Sequence, residues 1–350
     1  MRRHKNLYQE IISFQNLLKA ARLAEKGKRF KDSTASFNFF LEKEIWNLHR
    51  QLAAKQYEPG DYHHFLIFEP KKRVISAAPY RDRVVHHAIH NVLEPIFGPI
   101  FIYDSYATRK GKGTHAAVDR FQQFARKTRY ALKCDIKQYF PSIDHGILFA
   151  QIKQKVACSD TLWLIQKILD SSKKDRETGT LFASIHPSIH PSGIPIGNLT
   201  SQFFANIYLN GLDHFIKEKL RCCYYVRYMD DFMICHDNKE FLWHVKAEIQ
   251  IFLQSLHLSI HPNKCKIFTT KDGVPFLGLI VARDWRRLKR ESILRFKKRL
   301  KQFQKQYRNR NEDWQHIHQS IQAWIGHAKH ADTKKLRELI FEDVVFKRDS

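Results

Sequence analysis

The sequence predicts an α+β fold, with helical segments at both ends and a small sheet between them. Three observations carry this. Apolar residues recur at intervals of three and four across residues 7–54 and again across 293–307, two apolar runs at 130–136 and 224–235 have the length of strands, and the apolar period changes at 62–80. The chain has 350 residues, 43% of them apolar and 13% aromatic, with only 13 Gly and 11 Pro. Such a composition excludes disordered, collagenous and low-complexity classes. The length suffices for a sizeable core and for two or three subdomains.

In chain order, Leu17, Leu18, Ala21 and Leu23, then Phe37, Phe40, Leu41, Ile45, Leu48 and Leu52, predict helices over most of 7–54. Phe65, Ile67, Val74 and Ile75, around Pro70 and the basic turn Lys71-Lys72-Arg73, predict a hairpin. A helical pattern returns over 82–97, and Tyr130 to Ile136 reads as a strand ending in Asp135. Ser171 to Pro191, rich in histidine and proline and holding the short duplication Ile-His-Pro-Ser, reads as an inserted loop. A long helix is expected after Gly197, through Phe203, Phe204, Ile207, Tyr208 and Leu212. Tyr224 to Cys235 reads as two strands broken at Met229-Asp230-Asp231, where a tight turn would expose both carboxylates.

Beyond Val281 the composition shifts: residues 283–310 hold 13 Lys and Arg against Asp284 and Glu291 alone. Ile293, Phe296, Leu300, Phe303 and Tyr307 keep helical spacing there, so one face is apolar and the other a cationic ridge. A second helix follows with Ile317, Ile321, Trp324 and Ala328, and a domain junction is expected near 283.

Across the chain, 60 Lys and Arg against 35 Asp and Glu leave a formal charge of +25. That excess favours a polyanionic partner, most often nucleic acid, over simple solubility or an anionic membrane surface. No apolar stretch approaches the roughly 20 residues of a membrane span, and Met1-Arg2-Arg3-His4-Lys5 leads into polar residues rather than a signal-peptide core, so a cytoplasmic protein is expected. The six cysteines form no CxxC pair, and His63-His64 and His86-His87 place neighbours on different faces, which argues for free thiols and against a cysteine or histidine metal site.

Leu132-Lys133-Cys134-Asp135-Ile136-Lys137-Gln138-Tyr139-Phe140 and Val226-Arg227-Tyr228-Met229-Asp230-Asp231-Phe232 set carboxylates among apolar residues at strand ends. There they would repel one another and resist desolvation unless a cation joined them. Hard divalent ions held by aspartates and substrate phosphates meet that need, and two of them can serve in-line nucleotidyl transfer. Other elements keep the same order: Lys71 to Ile75 with Tyr80 to His86, Ser105 to Gly111, a glycine loop at Gly197, Leu258 to Lys266, and Phe276-Leu277-Gly278.

Together these seven elements, from about Phe65 to Val281 or roughly three-fifths of the chain, resemble the ordered motif set of reverse transcriptases. The resemblance implies a right-hand polymerase fold: an N-terminal helical segment over 1–54, fingers and a palm with an antiparallel sheet over 55–282, and a basic helical thumb over 283–350. It implies RNA-directed DNA synthesis with two Mg²⁺ ions, Mn²⁺ being able to substitute, on a template RNA, a primer or cDNA strand and dNTPs. Asp135 and Asp230 match the principal metal ligands, with Asp231 a nearby acidic contributor and the Ile136 carbonyl completing the set. Phe140 matches the aromatic gate that crowds a ribose 2′-hydroxyl. Lys71 and Arg73 match the basic residues on the incoming triphosphate, and the lysine placed to protonate pyrophosphate is Lys264 or Lys266, which the sequence does not separate. Arg287, Lys289, Arg290, Lys297, Lys298 and Lys301 would lie along a phosphate backbone.

Gly193 to Gln202 sharpens the resemblance. Most reverse transcriptases of retroviral and group II intron type show Gln-Gly and then Ser-Pro here, whereas this chain has Ile196-Gly197 and then Ser201-Gln202. That variant resembles the enzymes of bacterial and phage diversity-generating retroelements, within the group II intron-like superfamily. It implies copying of a template-repeat RNA with errors opposite adenine, transfer of the cDNA into a variable gene by mutagenic retrohoming, and a small, basic, helical accessory variability protein, pentameric in that family. Ile196 lacks the amide a glutamine would offer near the nascent pair, so pairing would be policed less tightly. The retron Val-Thr-Gly and Asn-Ala-x-x-His segments are not found, and no RNase H, maturase or endonuclease domain is expected. The alternatives are a bacterial reverse transcriptase that copies faithfully and a catalytically idle RNA-binding protein that kept the fold.

Overall fold

A computed structural model describes residues 3–68, 73–177 and 192–348. Lys71, and residues 178–191 of the expected inserted loop, lie outside them, while Ser171 to Glu177 continue the helix Ser159–Glu177. Leu7–Ile12, Phe14–Ala24, Asp32–Phe39 and Leu41–Ala53 form the N-terminal helices. The Ser13 hydroxyl caps the second by accepting from the Asn16 N–H, which satisfies one of its orphan donors. Leu17, Ala20, Ala21 and Ala24 turn inward, and small alanines admit close approach of the helix Tyr80–Phe97. The Asn16 amide donates to the Ala88 carbonyl and the Tyr80 hydroxyl to the Ala21 carbonyl, so the two helices are also tied by polar bonds. These N-terminal side chains join one continuous apolar core with Leu132, Phe203, Tyr225 and Phe232.

Strands β1 (His63–Ile67) and β2 (Arg73–Ala77) pair antiparallel with Phe65 opposite Ile75. The central sheet joins β3 (Tyr130–Asp135), β4 (Tyr224–Tyr228), β5 (Asp231–His236) and β6 (Lys266–Thr269) in the order β4-β5-β3-β6, antiparallel throughout. Alternation along these strands divides two apolar layers. Leu132, Cys134, Phe232 and Ile234 face the layer shared with the helices Leu199–Tyr208 and Lys239–Ser255, whereas Ala131, Val226, Met233 and Cys235 face the helix Thr114–Lys127 and a second sheet. Each fully buried Leu, Ile or Phe contributes about 1.5–3 kcal/mol, so the sheet is pinned from both sides.

The second sheet is β7 (Val274–Phe276), β8 (Leu279–Val281) and β9 (Arg286–Leu288). The β7–β8 turn is Leu277-Gly278, with φ of 44° and 91°, both positive as a two-residue hairpin turn of this hand requires. Because β9 pairs with β8, this sheet runs across residue 283, and the basic helix begins only at Arg290. Helical spacing from Ile293 onward was legible; the three-residue strand before it is too short to show a period. The helices Arg290–Arg308, Trp314–Ala328 and Lys334–Phe341 close a separate core of Phe296, Leu300, Phe303, Ile317, Ile321 and Ile340, with Phe296 stacked on Trp324 at 3.8 Å. The helix expected to run from Gly197 through Leu212 instead ends at Tyr208, resumes over Asn210–His214 and finishes in a π-helical turn, Phe215–Lys219. Among the described residues no helix is long and apolar enough to cross a membrane.

Candidate active site

Strand β3 lies between β5 and β6, so its last residue, Asp135, emerges in the middle of the sheet edge. Its register partner is Asp231, the first residue of β5, which brings two carboxylates together by backbone pairing alone. Asp230 occupies the two-residue turn between β4 and β5, where the Ile136 N–H donates to its carbonyl at 3.2 Å. Asp135, Ile136, Asp230 and Asp231 thus meet at one place.

The turn is strained, since Met229 holds φ at 55°, a left-handed conformation that costs a non-glycine residue on the order of 1–3 kcal/mol. Arg227, two residues earlier in β4, opposes that strain. Its Nη1 donates to the Met229 carbonyl at 3.1 Å and to Asn206 Oδ1 at 3.2 Å, while Nε and Nη2 bind Asp213 at 2.7 and 2.6 Å and Nη2 also reaches Ser105 Oγ. Arg227 and Asp213 are both 0% exposed. Burial works against the guanidinium charge, but Asp213 more than offsets it and holds the group above its ordinary range.

Two lysines meet the carboxylates. Lys264 Nζ lies 2.6 Å from Asp135 Oδ1, its loop folded back by bonds from the His261 N–H to the Asp135 carbonyl and from the Lys137 N–H to the Ser259 carbonyl. Lys266, the other candidate, is exposed in β6 opposite Lys133. Lys133 Nζ lies 3.4 Å from Asp231 Oδ2 and donates to the Pro275 carbonyl. Burial, with the nearby Asp135, pushes the Asp230 carboxyl above its usual range, against the pull of Lys264 and Arg73. Burial also raises Asp231, to about 6, Lys133 opposing while Asp135 and Asp230 add to it. Asp231 Oδ1 is buried with no hydrogen-bond partner among the described residues. An orphaned carboxylate oxygen beside two mutually repelling acids is the environment that a hard divalent cation neutralises. Among the described residues no three His, Cys, Asp or Glu side chains form a metal cage by themselves; Mg²⁺ is ordinarily held by one or two carboxylates together with substrate phosphates.

The other predicted residues among those described lie on several separate elements. Gln138 turns the chain through a left-handed conformation, φ 46°, so that Phe140 falls in the short helix Tyr139–Ser142, half-buried against Tyr139. The Phe140 carbonyl accepts from the Ile194 N–H, which ties it to the loop carrying Ile196 and Gly197. That loop touches the β1–β2 hairpin: the Ser76 N–H donates to the Ile196 carbonyl at 3.0 Å, and Gly197, φ 125°, leaves a space in which a Cβ would meet Ile75 Cγ2 at 2.9 Å. Glycine is required there on both counts. Gln202 Oε1 accepts from the Thr108 hydroxyl at 3.1 Å, linking the loop's helix to the Ser105–Gly111 segment. Arg73 opens β2 close enough for its charge to act on Asp230. Arg290, Lys297, Lys298 and Lys301 are exposed on the helix Arg290–Arg308, with Lys289 at its N-cap, whereas Arg287 belongs to β9 and lies 4.6 Å over the Trp285 ring.

Sequence reasoning missed Arg227, Asp213, Asn206 and Lys133. Their one signal was a charge inside an otherwise apolar strand, Val226-Arg227-Tyr228, which a half-exposed strand would equally explain.

The family described as reverse transcriptase (RNA-dependent DNA polymerase) matches residues 68–281. The group II intron-encoded protein LtrA of Lactococcus lactis subsp. cremoris is 27% identical over 208 residues, covering 59% of this chain and 33% of that protein. Protein YkfC of Escherichia coli (strain K12) is 23% identical over 278 residues, covering 68% of this chain and 71% of that protein. The chain therefore spans about a third of the length of the intron-encoded relative. Among solved structures, apo telomerase from Candida tropicalis, truncated from its C-terminal domain, superposes with a TM-score of 0.50 at 15% identity over 65% of this chain and 55% of that one, a likeness of fold.

Proposed function

This chain belongs to the reverse transcriptase family and has a right-hand polymerase fold, and from that premise we propose that it is an RNA-directed DNA polymerase of the diversity-generating class. The observation that supports polymerisation is the meeting of Asp135, Asp230 and Asp231 at one sheet edge, with Lys264 upon Asp135. Asp135 and Asp230, with Asp231 and the Ile136 carbonyl, are the groups that would hold two Mg²⁺ ions. Bound there, such ions would supply the activation of a primer 3′-hydroxyl and the stabilisation of leaving pyrophosphate.

The chain's own residues do the rest. Arg73 offers positive charge to the triphosphate, Lys264 supplies a proton to pyrophosphate, and Phe140 crowds a 2′-hydroxyl and so selects deoxynucleotides. The cationic face of Arg290–Arg308 follows the template–primer backbone. We assign the diversifying role to the loop of Ile196, Gly197 and Gln202, which meets the β1–β2 hairpin without a glutamine amide at position 196. A template-repeat RNA and a small basic accessory protein are the partners this reading requires.

Likeness to a group II intron-encoded protein favours a second reading, a bacterial reverse transcriptase that copies without directed errors. One experiment separates the two: sequencing of the cDNA made with Mg²⁺ from an RNA of mixed composition, with Asp230→Ala as control and a small basic accessory protein added if one is encoded alongside. Errors concentrated opposite adenine, absent with Asp230→Ala, are expected. Errors spread evenly at a low rate would leave a reverse transcriptase and remove the diversifying role.

A further inference from the structure

Two cysteines 131 residues apart in sequence meet beside the carboxylate cluster. Cys134 precedes Asp135 on β3, and Cys265 follows Lys264 immediately before β6; their Sγ atoms are 2.8 Å apart. Both are free thiols, 0% and 4% exposed, within the main core. Since Lys133 pairs with Lys266 in the β3–β6 ladder, the next residues in the two directions, Cys134 and Cys265, are cross-strand neighbours. Neighbours of this kind have Cα atoms about 4.5–5.5 Å apart, inside the span a disulfide bridges. The sulfurs lie closer than non-bonded atoms usually do, so a bond of about 2.05 Å needs less than 1 Å of further approach. Neither thiol is among the residues assigned a role in polymerisation.

We propose that Cys134 and Cys265 form a reversible oxidation site, a dithiol that a peroxide converts to a disulfide and a dithiol reductant restores. In the first step the Cys265 sulfur, the less buried of the two, attacks one oxygen of hydrogen peroxide. The O–O bond breaks, and Cys265 becomes a sulfenic acid as water leaves. The Cys134 sulfur then attacks the sulfenic sulfur: the S–S bond forms, the S–O bond breaks, and the departing hydroxide takes the Cys134 proton as a second water. Two thiols have lost two electrons to one peroxide.

The bond closes a loop that begins at Asp135 and ends at Lys264. It fixes the end of β3 to the residue next to Lys264, whose ammonium already lies against Asp135 Oδ1. With the end of β3 cross-linked to the Lys264 loop, Asp135 and Lys264 lose the freedom to part that metal and pyrophosphate binding requires, so oxidation arrests nucleotidyl transfer. This consequence rests on the polymerase reading; the oxidation site itself does not.

The test treats the full chain with hydrogen peroxide, caps remaining thiols with iodoacetamide, and maps non-reduced peptides by mass spectrometry, with primer extension measured in parallel. A linked Cys134–Cys265 peptide is expected, with at least a tenfold fall in extension that dithiothreitol reverses and that Cys265→Ser escapes while keeping its basal rate. Absence of the linked peptide at peroxide concentrations that fully oxidise the exposed Cys223 would overturn the site, whatever the activity of the chain. A linked peptide with extension unchanged, or equal inactivation of Cys265→Ser, would overturn its control of transfer.

Discussion

Removing the counter-charge beneath the Met229-Asp230 turn tests how that turn is held. Arginine has five N–H donors, and all five of Arg227 find acceptors: two on Asp213 and one each on Asn206, Ser105 and the Met229 carbonyl. Asp213→Asn keeps the shape but leaves a cation with no counter-charge in a site closed to water. Breaking a buried pair in this way costs about 3–5 kcal/mol. With an unfolding entropy of about 2.1 cal/mol/K per residue over a chain of this length, the melting temperature falls by about 4–7 °C. Arg227→Met has a similar cost, because Asp213 is then an unpaired buried anion, with the Tyr225 hydroxyl still donating to it. The double variant Asp213→Leu/Arg227→Met removes both charges, and apolar replacement of a buried pair is often neutral or stabilising. It should regain part of the melting temperature, since the buried charges are gone while the Met229 carbonyl, Asn206 and Tyr225 have lost partners, and primer extension should stay low because Met229 has still lost its donor. Thermal melts and single-turnover extension on the four proteins read both quantities. Single variants that lose less than about 1 kcal/mol, the range of an exposed pair, or a double variant with wild-type extension, would refute the reasoning.

Four further outcomes are expected. Lys264→Met should lower kcat by on the order of 10² or more, as loss of a general acid does, while Lys266→Met stays near wild type; equal effects would remove Lys264 from its role. Gly197→Ala places a Cβ against Ile75 at a positive φ, so dNTP KM should rise and stability fall by roughly 1–3 kcal/mol; Ile75→Ala on that background should recover part of the loss, and no recovery would mean that contact is not the cause. Asp231, raised from 3.8 to about 6, binds its proton more tightly when folded, so the stability it lends is complete below about pH 4 and is lost as pH rises through about 6, roughly 3 kcal/mol in all. Without divalent ions Asp231→Asn should therefore melt higher than wild type at pH 7 and alike at pH 4, and a pH-independent difference would contradict this. Phe140→Ala should admit ribonucleotides; unaltered discrimination in a nucleotide-competition assay would displace the gate from that residue.

The parts of the fold legible in sequence were those whose period the packing enforces. Leu132 and Cys134 against Ala131, and Phe232 and Ile234 against Met233 and Cys235, alternate because two apolar layers clamp the sheet. The acids at Asp135, Asp230 and Asp231 were legible for the opposite reason, as charges where that alternation forbids them. What escaped were contacts with no local pattern. β9 has three residues, fewer than two periods. Asp213 has no sequence signal and Arg227 only an ambiguous one until a broken helix and a strand are laid side by side, and Lys264 and Lys266 differ only in which one the His261 turn swings back to Asp135.

The strand order of the central sheet also sets a timetable. Among the described residues β3 pairs only with β5 and β6, so after Asp135 leaves the ribosome its strand waits for roughly 100 residues of further chain before either partner exists, on the order of 5–20 s at ordinary translation rates. During that interval the N-terminal helices have their mutual contacts and Tyr80–Phe97, but not Phe203, Tyr225 or Phe232. Leu132 and Cys134 meanwhile face water beside an open strand edge, the condition under which nascent chains stick to one another. Chaperone demand during synthesis should be concentrated in that window and end once the β4–β5 hairpin has been made.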